Sequence, residues 1–378
     1  MKGNMRFCVP CLFGVEGLVA QELRDMGLEQ VQAENGRVLF SGGWEAMVRA
    51  NLCCRFGERV LLLLGEFPAR SFEELFQGVK ALPWEGLLGK EDAFPVTGSS
   101  LSSQLHSVPD CQAIIKKAIV ERLKAKYKLS WFAESGALHR VRFRILKDQV
   151  SVMVDTSGEG LHKRGYRALS NDAPMKETLA ASLCQLSRLR QDGHLIDPFC
   201  GSGTILIEGA LLARNIAPGL GRAFTAESWG SVPGQLWQQE RERARSLERR
   251  DTGFTAQGFD VDPAAVELTL ANAQKAGVED CITASVRDVR DFTQEGPYGC
   301  VVCNPPYGER LLDVRQAQEL YRALGQVFQP RRGWSLGVIS PDPEFESLFG
   351  RKADKRRKLY NGMIQCQYYQ YFRGSDKR

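Results

Sequence analysis

The spacing of hydrophobic positions predicts a small α/β domain at the start of the chain. Apolar side chains recur at helical spacing in residues 14–26 and 44–52, and strand-like segments with alternating polar and apolar residues surround them. Asn35-Gly36 separates two of these segments, and this dipeptide is typical of a tight hairpin turn. The order strand–helix–strand–strand–helix–strand predicts a ferredoxin-like domain over residues 1–65.

Residues 66–160 form a second predicted α/β domain. Helices are predicted over residues 72–82 and 110–127, and two strands alternate around Lys147-Asp148. This stretch holds no group of side chains that could act together as nucleophile and base. The second domain is therefore interpreted as a binding module.

From residue 161 onward, helices alternate with strands. This alternation predicts a mainly parallel sheet with helices on both faces, closed by a hairpin around Asn361-Gly362. The prediction is a Rossmann-like α/β domain over residues 161–378. The predicted helices cover residues 174–189, 204–214, 263–276 and 316–328, and the predicted strands cover residues 194–197, 255–260, 282–285, 299–303 and 335–339.

Residues 219–253 interrupt this alternation. They include the sequence QLWQQERERARSLERR, in which charges of both signs recur at helical spacing. Such a pattern usually belongs to a solvated helix face. We therefore predict a surface helix here, with at most a secondary contribution to a nucleic-acid surface.

Composition narrows the class of protein. The chain has 378 residues, a formal net charge of +5 and 43% hydrophobic residues, as in an ordinary globular protein of two or three domains. The sequence contains no run of about 18 apolar residues, so no transmembrane helix is predicted. The first residues lack the apolar core and the cleavage site of a signal peptide. We therefore expect a cytoplasmic protein with no membrane partner. The modest positive charge permits an anionic partner without demanding one.

The 11 cysteines are scattered without a disulfide framework, so we expect them to be thiols. Cys300 and Cys303 have the C-x-x-C spacing, but they lie in a strand-like run, where positions three apart point to opposite faces. Cys8 and Cys11 share this spacing in another strand-like segment, and both pairs are interpreted as small buried side chains. The four histidines show no metal-ligand spacing, so no metal site is predicted.

The sequence DPFCGSGT, residues 197–204, is the first of two motifs that carry chemistry. It lies between a predicted strand and a predicted helix, and Gly201 and Gly203 let the backbone turn sharply and leave room for a ligand. Position 206 is leucine where the dinucleotide fingerprint needs glycine, and no P-loop lysine follows. Asp197, directly before the turn, suits a cationic amino-acid ligand better than a pyrophosphate.

Three further acids lie at the ends of the second and third predicted strands of this sheet, residues 255–260 and 282–285, or just beyond them. Asp260 ends one strand, where an acid can accept hydrogen bonds from both hydroxyls of a ribose. Asp262 is the alternative ribose ligand, although a cap for the helix that starts at Pro263 is its more expected role. Asp288, after the third strand, could accept a hydrogen bond from an adenine amine, or be a surface acid without a ligand.

The second motif, Asn304-Pro305-Pro306-Tyr307, follows a predicted buried strand. Methylating an exocyclic amine requires that its two hydrogens be held while the nitrogen lone pair turns toward the methyl group. The Asn304 side-chain oxygen and the Pro305 carbonyl could accept those hydrogens, and the prolines keep the backbone stiff. Tyr307 offers a flat face on which a base can stack. Proximity and orientation would supply most of the rate.

Basic residues cluster at 162–167 and 351–358. Such runs are usually only solvated, but beside a base-binding site they make sensible phosphate contacts. The candidate RNA-binding residues are Lys163, Arg164, Arg167, Arg351, Lys352, Lys355, Arg356 and Arg357.

Together these motifs resemble those of bacterial THUMP-domain RNA methyltransferases of the 23S ribosomal RNA guanine-N2 type. The resemblance extends over nearly the whole chain and implies an α/β fold with three parts. These are a ferredoxin-like domain (1–65), a THUMP domain (66–160) and a Rossmann-like class I methyltransferase domain (161–378). The matching blocks are LHKRGYR, APMKETLAA, DPFCGSGTILIEGA, ARNIAPG, GFDVDP, NPPYGER and GRKADKRRKLYNG.

The resemblance also implies S-adenosylmethionine as cofactor and structured RNA, ribosomal RNA first, as substrate. Residues 304–307 would form the target-base pocket, and residues 173–178, including Thr178, would help hold the methionine end of the cofactor. Relatives of the longer type carry a second methyltransferase domain, so one modification is expected of this chain, with no obligate protein partner. The implied cofactor-binding residues are Asp197, Gly201, Gly203, Thr178, Asp260 and Asp288.

Three alternatives stay open. A DNA amino-methyltransferase acting on adenine N6 or cytosine N4 shares Asn-Pro-Pro-Tyr, and only the THUMP-like region argues against it. A transfer-RNA guanine-N2 methyltransferase would have the same pocket. A non-catalytic RNA-binding assembly factor on this scaffold is disfavoured by the intact Asp197, Asp260 and Asn304.

Overall fold

The computed structural model describes residues 4–167, 175–307, 314–328 and 332–372. These residues divide into two units. The first contains the described residues up to Cys11, Val19–Leu161 and Ala223–Glu242, and the second contains Leu12–Leu18, His162–Arg222 and the described residues from Arg243 onward. None of the described helices is long and apolar enough to cross a membrane.

A single seven-stranded sheet organises the first unit, in the order β2-β3-β1-β4-β7-β6-β5. The two parts predicted to be ferredoxin-like and THUMP domains share this sheet because β4 pairs antiparallel with β7, from Leu61 opposite Asp155 to Pro68 opposite Gln149. The predicted domain boundary, between residues 65 and 66, falls inside β4. The strands are β1 (Met5–Pro10), β2 (Glu29–Glu34), β3 (Arg37–Gly42), β4 (Leu61–Pro68), β5 (Val96–Leu101), β6 (Val141–Leu146) and β7 (Gln149–Asp155).

Four helices accompany these strands, and local signals set their ends. The Ser71 and Ser107 side chains accept hydrogen bonds from backbone N–H groups in the first turns of α3 and α4. Lys128, which follows α4, has a left-handed φ of 59° that ends the helix. The helices are α1 (Glu16–Asp25), α2 (Trp44–Cys53), α3 (Phe72–Lys80) and α4 (Val108–Tyr127).

The second unit is built on another seven-stranded sheet, in the order β10-β9-β8-β11-β12-β14-β13. Its first five strands run parallel, and β14 and β13 close it as an antiparallel hairpin. Large apolar and aromatic side chains, including Val301, Leu336, Phe345 and Tyr369, form a core on this sheet. The elements are α5 (Glu177–Leu186), β8 (His194–Asp197), α6 (Thr204–Ala213), β9 (Thr255–Asp260), α8 (Pro263–Ala276), β10 (Ile282–Val286), β11 (Gly299–Cys303), α9 (Val314–Val327), β12 (Trp334–Ser340), α10 (Phe345–Phe349), β13 (Lys355–Asn361) and β14 (Ile364–Tyr371). Helix α7 (Gly234–Ser246) belongs to the first unit up to Glu242 and to the second unit from Arg243.

The strand order determines where a ligand can bind. From β8 the chain proceeds outward to β9 and β10, then returns to β11 on the other side of β8. Open α/β sheets bind ligands at such a reversal, beyond the carboxyl ends of the strands. Both predicted motifs follow strands at this point, since residues 198–203 follow β8 and residues 304–307 follow β11.

The predicted helix in residues 219–253 is α7, which has the expected solvated face and, on its other side, a buried face that was not predicted. Trp237 is buried and its ring stacks on that of Phe224 at 5.2 Å between centroids. The buried Glu240 carboxylate accepts hydrogen bonds from Arg49 Nε and Nη2 at 3.0 and 2.7 Å. Trp237, Glu240 and Ala244 lie on one helical face. The sequence does not reveal this face because few of its residues are apolar and charged residues surround them.

The 11 cysteines, all within the described ranges, form no disulfides. Cys300 and Cys303 are both buried in β11, and burial raises the pKa of the Cys300 thiol to about 11. The prediction that they are small buried side chains is confirmed. In the described part of the chain, no group of three or more His, Cys, Asp or Glu side chains is arranged to hold a metal ion.

Candidate functional site

The loop between β8 and α6 makes a sharp turn that requires glycine at two positions. Gly201 has a φ of 53° and Gly203 a φ of 79°, both in the left-handed region. A Cβ atom on Gly203 would lie 2.8 Å from Thr269 Cγ2. Thr269 also donates a hydrogen bond from its hydroxyl to the Gly201 carbonyl at 2.9 Å. Helix α8 therefore holds the loop in one shape.

Asp260 ties this loop to the end of β9. Its Oδ2 accepts a hydrogen bond from the Gly201 N–H at 2.9 Å, and its Oδ1 accepts one from the Asp262 N–H at 3.0 Å. The Asp262 side chain accepts a hydrogen bond from the Ala264 N–H at 2.9 Å and so caps α8. The cap prediction for Asp262 is confirmed, and Asp260 remains the candidate for the ribose.

Asp197 ends β8 and is almost completely buried. Burial, and to a smaller extent the negative charge of Asp260, raises the pKa of the Asp197 carboxyl to about 8, although the Phe199 N–H donates to it at 3.0 Å. Burial disfavours the ionised form of this carboxyl, and a positive charge nearby would stabilise that form. The position is therefore suited to a cationic group.

Asp288 lies two residues beyond the end of β10 and has local partners. It accepts a hydrogen bond from the Arg290 N–H at 2.8 Å and pairs with Arg290 Nη1, also at 2.8 Å. The neighbouring side chains Val261 and Val286 are apolar and well exposed. Sequence analysis did not single out these two valines, because an isolated valine at the end of a strand carries no signal.

Asn304 follows β11 and carries an unusual acceptor. Its side-chain oxygen, Oδ1, is completely enclosed and has no hydrogen-bond partner among the described residues. Buried polar atoms in proteins are nearly always paired, so an unpaired one requires an explanation. An incoming N–H donor would supply the missing partner. Pro305, the next residue, is buried.

Tyr307 is held by a residue that sequence analysis identified only as part of a hairpin turn. Asn361, at the end of β13, donates a hydrogen bond from Nδ2 to the Tyr307 hydroxyl at 2.6 Å. This contact fixes the tyrosine relative to the closing hairpin. Residues 308–310 of the NPPYGER block lie outside the described residues.

The stretch before α5 contacts the start of α6 through Arg167. Its Nη2 donates hydrogen bonds to the Thr204 hydroxyl at 2.6 Å and to the Met175 carbonyl at 3.1 Å. Glu177 pairs with the same nitrogen at 3.5 Å. Thr178 is completely buried in the first turn of α5. Residues 173 and 174 of the predicted cofactor segment lie outside the described residues.

Two of the predicted phosphate contacts need correction. The Arg164 side chain is only 2% exposed, and its Nε and Nη2 donate to the Glu208 carboxylate at 3.3 and 3.2 Å. Arg167 likewise donates its hydrogen bonds within the unit, to Thr204 and Met175. Because Glu208 lies on the otherwise apolar helix α6, it needs a positive partner, and Arg164 supplies it. Lys163 is exposed and stays a candidate.

The second basic cluster also divides into exposed and occupied residues. Lys352, Lys355 and Arg356 are exposed, and Arg356 pairs with Glu346 at 2.6 Å. Arg351, in contrast, stacks over the Tyr371 ring at 4.8 Å. Arg357 is half-buried and donates from Nη1 to the Gly14 carbonyl at 2.6 Å. Lys352, Lys355 and Arg356 stay the exposed candidates for RNA contact in this cluster, whereas Arg351 and Arg357 are half-buried and have partners within the unit.

We expect Arg164→Ala to lower the free energy of unfolding by about 3–5 kcal/mol, because it leaves the buried Glu208 carboxylate without its charged partner. Lys163→Ala, the neighbouring exposed residue, is the matched control and should change the free energy by less than about 0.5 kcal/mol. Urea denaturation of the two variants measures the difference. Equal stabilities would show that the pair is dispensable.

The three-part organisation agrees with comparisons to known families. Residues 164–370, more than half of the chain, match the family described as RMKL-like, methyltransferase domain. The chain belongs to this methyltransferase family. Residues 6–61 match the RlmL ferredoxin-like domain and residues 69–155 match the THUMP domain. The predicted resemblance and the predicted α/β fold are confirmed.

Relatives of this methyltransferase align with nearly its whole length. It is 44% identical over 361 residues to a putative RNA methyltransferase, YpsC, of Bacillus subtilis, over 95% of this chain and 94% of the relative. It is 35% identical over 384 residues to the ribosomal RNA large subunit methyltransferase K/L of Psychromonas ingrahamii, over 99% of this chain and 51% of the relative. This chain thus spans about half the length of that second relative.

Two solved structures have the same fold over the whole chain. SMU.472, a putative methyltransferase complexed with SAH, gives a TM-score of 0.93 at 42% identity and covers 100% of both chains. A predicted N6-adenine-specific DNA methylase from Listeria monocytogenes gives a TM-score of 0.93 at 44% identity, with 98% of this chain and 97% of the other covered. The names of these relatives point to different substrates.

Proposed function

We propose that this methyltransferase transfers a methyl group from S-adenosylmethionine to the exocyclic N2 of a guanine in ribosomal RNA. The observation that carries the proposal is the enclosed Asn304 Oδ1, which has no hydrogen-bond partner among the described residues. An exocyclic amine is the donor that this acceptor lacks, and it would be held at the strand edge where the cofactor loop also lies.

S-adenosylmethionine is the cofactor, as predicted, and it supplies an activated methyl group on a sulfonium. The residues present fit this molecule. Gly201 leaves open space where a side chain would otherwise stand, and the Asp197 carboxyl is a buried acid suited to a cationic ligand. The Asp260 carboxylate lies beside the loop, where ribose hydroxyls can reach it. Val261, Val286 and Asp288 would surround the adenine.

The pocket chemistry follows from Asn304 and its neighbours. Asn304 Oδ1 and the Pro305 carbonyl would accept the two amine hydrogens and turn the nitrogen lone pair toward the methyl group. The sulfonium–methyl bond would break with a neutral thioether as the leaving group, so no strong base is needed before transfer, and the methylated amine would then release one proton to water. The stiff backbone at Pro305 and Pro306 keeps the acceptors in place before the substrate arrives. Polar groups that are preorganised in this way usually make the largest single contribution to stabilising a transition state.

RNA as the substrate is supported by the THUMP domain and by the names of two relatives. The principal alternative is a DNA amino-methyltransferase, which the name of the Listeria relative suggests. Transfer of radiolabelled methyl from S-adenosylmethionine to RNA, DNA and protein separates these classes of acceptor. We expect label in RNA alone. Label in DNA would favour the alternative, and binding without transfer would favour a non-catalytic assembly factor.

We expect RNA affinity to depend on exposed lysines next to the sheet edge. The Lys352→Ala, Lys355→Ala double variant should bind RNA several-fold more weakly and lower the slope of log affinity against log salt by about 1 for each phosphate that it no longer neutralises. Lys275→Ala, an exposed lysine on α8, is the matched control and should leave the slope unchanged. Filter binding over a range of salt concentrations measures both. An unchanged slope in the double variant would remove these lysines from the RNA surface.

A further inference from the structure

We propose that Met363, at the tip of the β13–β14 hairpin, is a wedge that enters the RNA base stack and replaces the target base when that base turns into the pocket. The inference rests on the proposed function and extends it. A wedge would let the enzyme act on a base that is paired and stacked in duplex RNA. The pocket residues alone cannot reach such a base.

The hairpin tip lies at the same sheet edge as the pocket. Asn304 follows Cys303, which pairs with Val338 of β12, and Val338 pairs with Tyr369 of β14. Because β14 runs antiparallel to β12, its first residue, Ile364, lies on the side of the sheet where β11 ends. Five residue steps of extended strand lead from Tyr369 to Ile364, so the tip projects roughly 15 Å beyond the level of Cys303, on the side to which residues 304–307 extend.

A direct contact ties the tip to the pocket. Asn361, two residues before Met363, donates the hydrogen bond to the Tyr307 hydroxyl at 2.6 Å. Tyr307 is the proposed stacking surface for the extruded base. The turn that carries the wedge and the side chain that receives the base therefore belong to one connected group, and each would be positioned by the other.

The Met363 side chain is 97% exposed, the highest exposure among the large hydrophobic side chains in the described ranges. Single exposed apolar residues are common and have no meaning by themselves. This one is distinguished by its place, beyond the pocket and two residues from Asn361. Methionine is unbranched and polarizable, and apolar side chains of this kind are inserted between base steps by proteins that unstack nucleic acids.

The strand that leads to the tip has the charge to guide RNA toward it. β13 is the edge strand of the sheet, and strand alternation places Arg356, Lys358 and Tyr360 on the face opposite the buried Leu359. Arg356 and Lys358 are exposed, and the Lys358 ammonium lies 5.6 Å from the centre of the Tyr360 ring. These cations would contact phosphates of the strand whose bases face Met363.

The test compares Met363→Ala with the wild-type enzyme on two RNAs. Both are transcripts of large-subunit ribosomal RNA in which the methylated guanine has first been mapped. In one transcript that guanine is paired with cytidine, and in the other its partner is deleted. We expect kcat/KM on the paired guanine to fall about 10- to 100-fold in the variant, and on the unpaired guanine less than about threefold, because only the paired base must be forced from its stack.

Two control variants sharpen the comparison. Met363→Leu keeps an apolar wedge and should restore most of the activity on the paired guanine. Leu247→Ala removes an exposed apolar side chain elsewhere in the same unit and should have no effect on either RNA. Equal loss on both RNAs, or no loss on either, would overturn the wedge. If the wild-type enzyme methylates neither transcript, the proposed function fails first and the wedge fails with it.

Discussion

Asn304→Ala is expected to reduce methyl transfer to RNA by about 10²–10³-fold, the loss typical of one preorganised polar group. Affinity for S-adenosylmethionine and for RNA should remain nearly unchanged, because Asn304 Oδ1 is assigned to the target amine and to neither loop 198–203 nor a phosphate. The free enzyme already holds this oxygen without a partner among the described residues. Its removal should therefore not destabilise the fold.

Single-turnover kinetics with labelled cofactor, together with calorimetry for cofactor binding, measure these quantities separately. Tyr307→Phe is the companion variant. It keeps the ring that the base stacks on and loses the hydroxyl, which accepts the hydrogen bond from Asn361, so we expect a mild effect, whereas Tyr307→Ala should be severe. Full activity of Asn304→Ala would contradict the pocket chemistry, and a parallel loss of cofactor affinity would assign Asn304 to the cofactor site instead.

Asp260→Ala is expected to weaken binding of S-adenosylmethionine by roughly 1–3 kcal/mol, which corresponds to about 5- to 150-fold in Kd. The structure gives two reasons for this loss. The carboxylate would no longer accept hydrogen bonds from the ribose, and it would no longer hold the Gly201 N–H at 2.9 Å, so the loop itself would lose an anchor.

Asp262→Ala is the matched control because it removes a carboxylate two residues away. Asp262 caps α8, so its loss should lower stability by about 1 kcal/mol and leave the cofactor affinity within about twofold. Isothermal titration calorimetry of both variants separates the two roles. Similar affinity losses in both would show that general destabilisation, and not the ribose contact, explains the effect.

Much of the fold of the second unit follows from local sequence signals. Strand β9 and helix α8 begin and end where the sequence predicts, and Asp262-Pro263 is a strong helix start. The two motifs could be placed at the correct strand ends for the same reason. Alternating helices and strands were enough to predict the sheet.

Other features depend on pairings between distant residues, which a single sequence does not reveal. The shared sheet of the first unit arises because β4 pairs with β7, and no local pattern specifies that partner. The parallel edge strand β5, whose sequence VTGSSL is mostly polar, was not predicted. In the site, the Arg164–Glu208 pair and the Asn361–Tyr307 hydrogen bond also join residues far apart in the chain.

Nucleoside analysis of ribosomal RNA methylated by the pure enzyme tests the central claim most directly. Large-subunit RNA is incubated with wild-type protein and methyl-labelled S-adenosylmethionine, digested to nucleosides and separated by mass. We predict that the label appears as N2-methylguanosine, and that Asn304→Ala gives about 10²–10³-fold less of it. Label on adenine, on cytosine or on a ribose would contradict the guanine assignment.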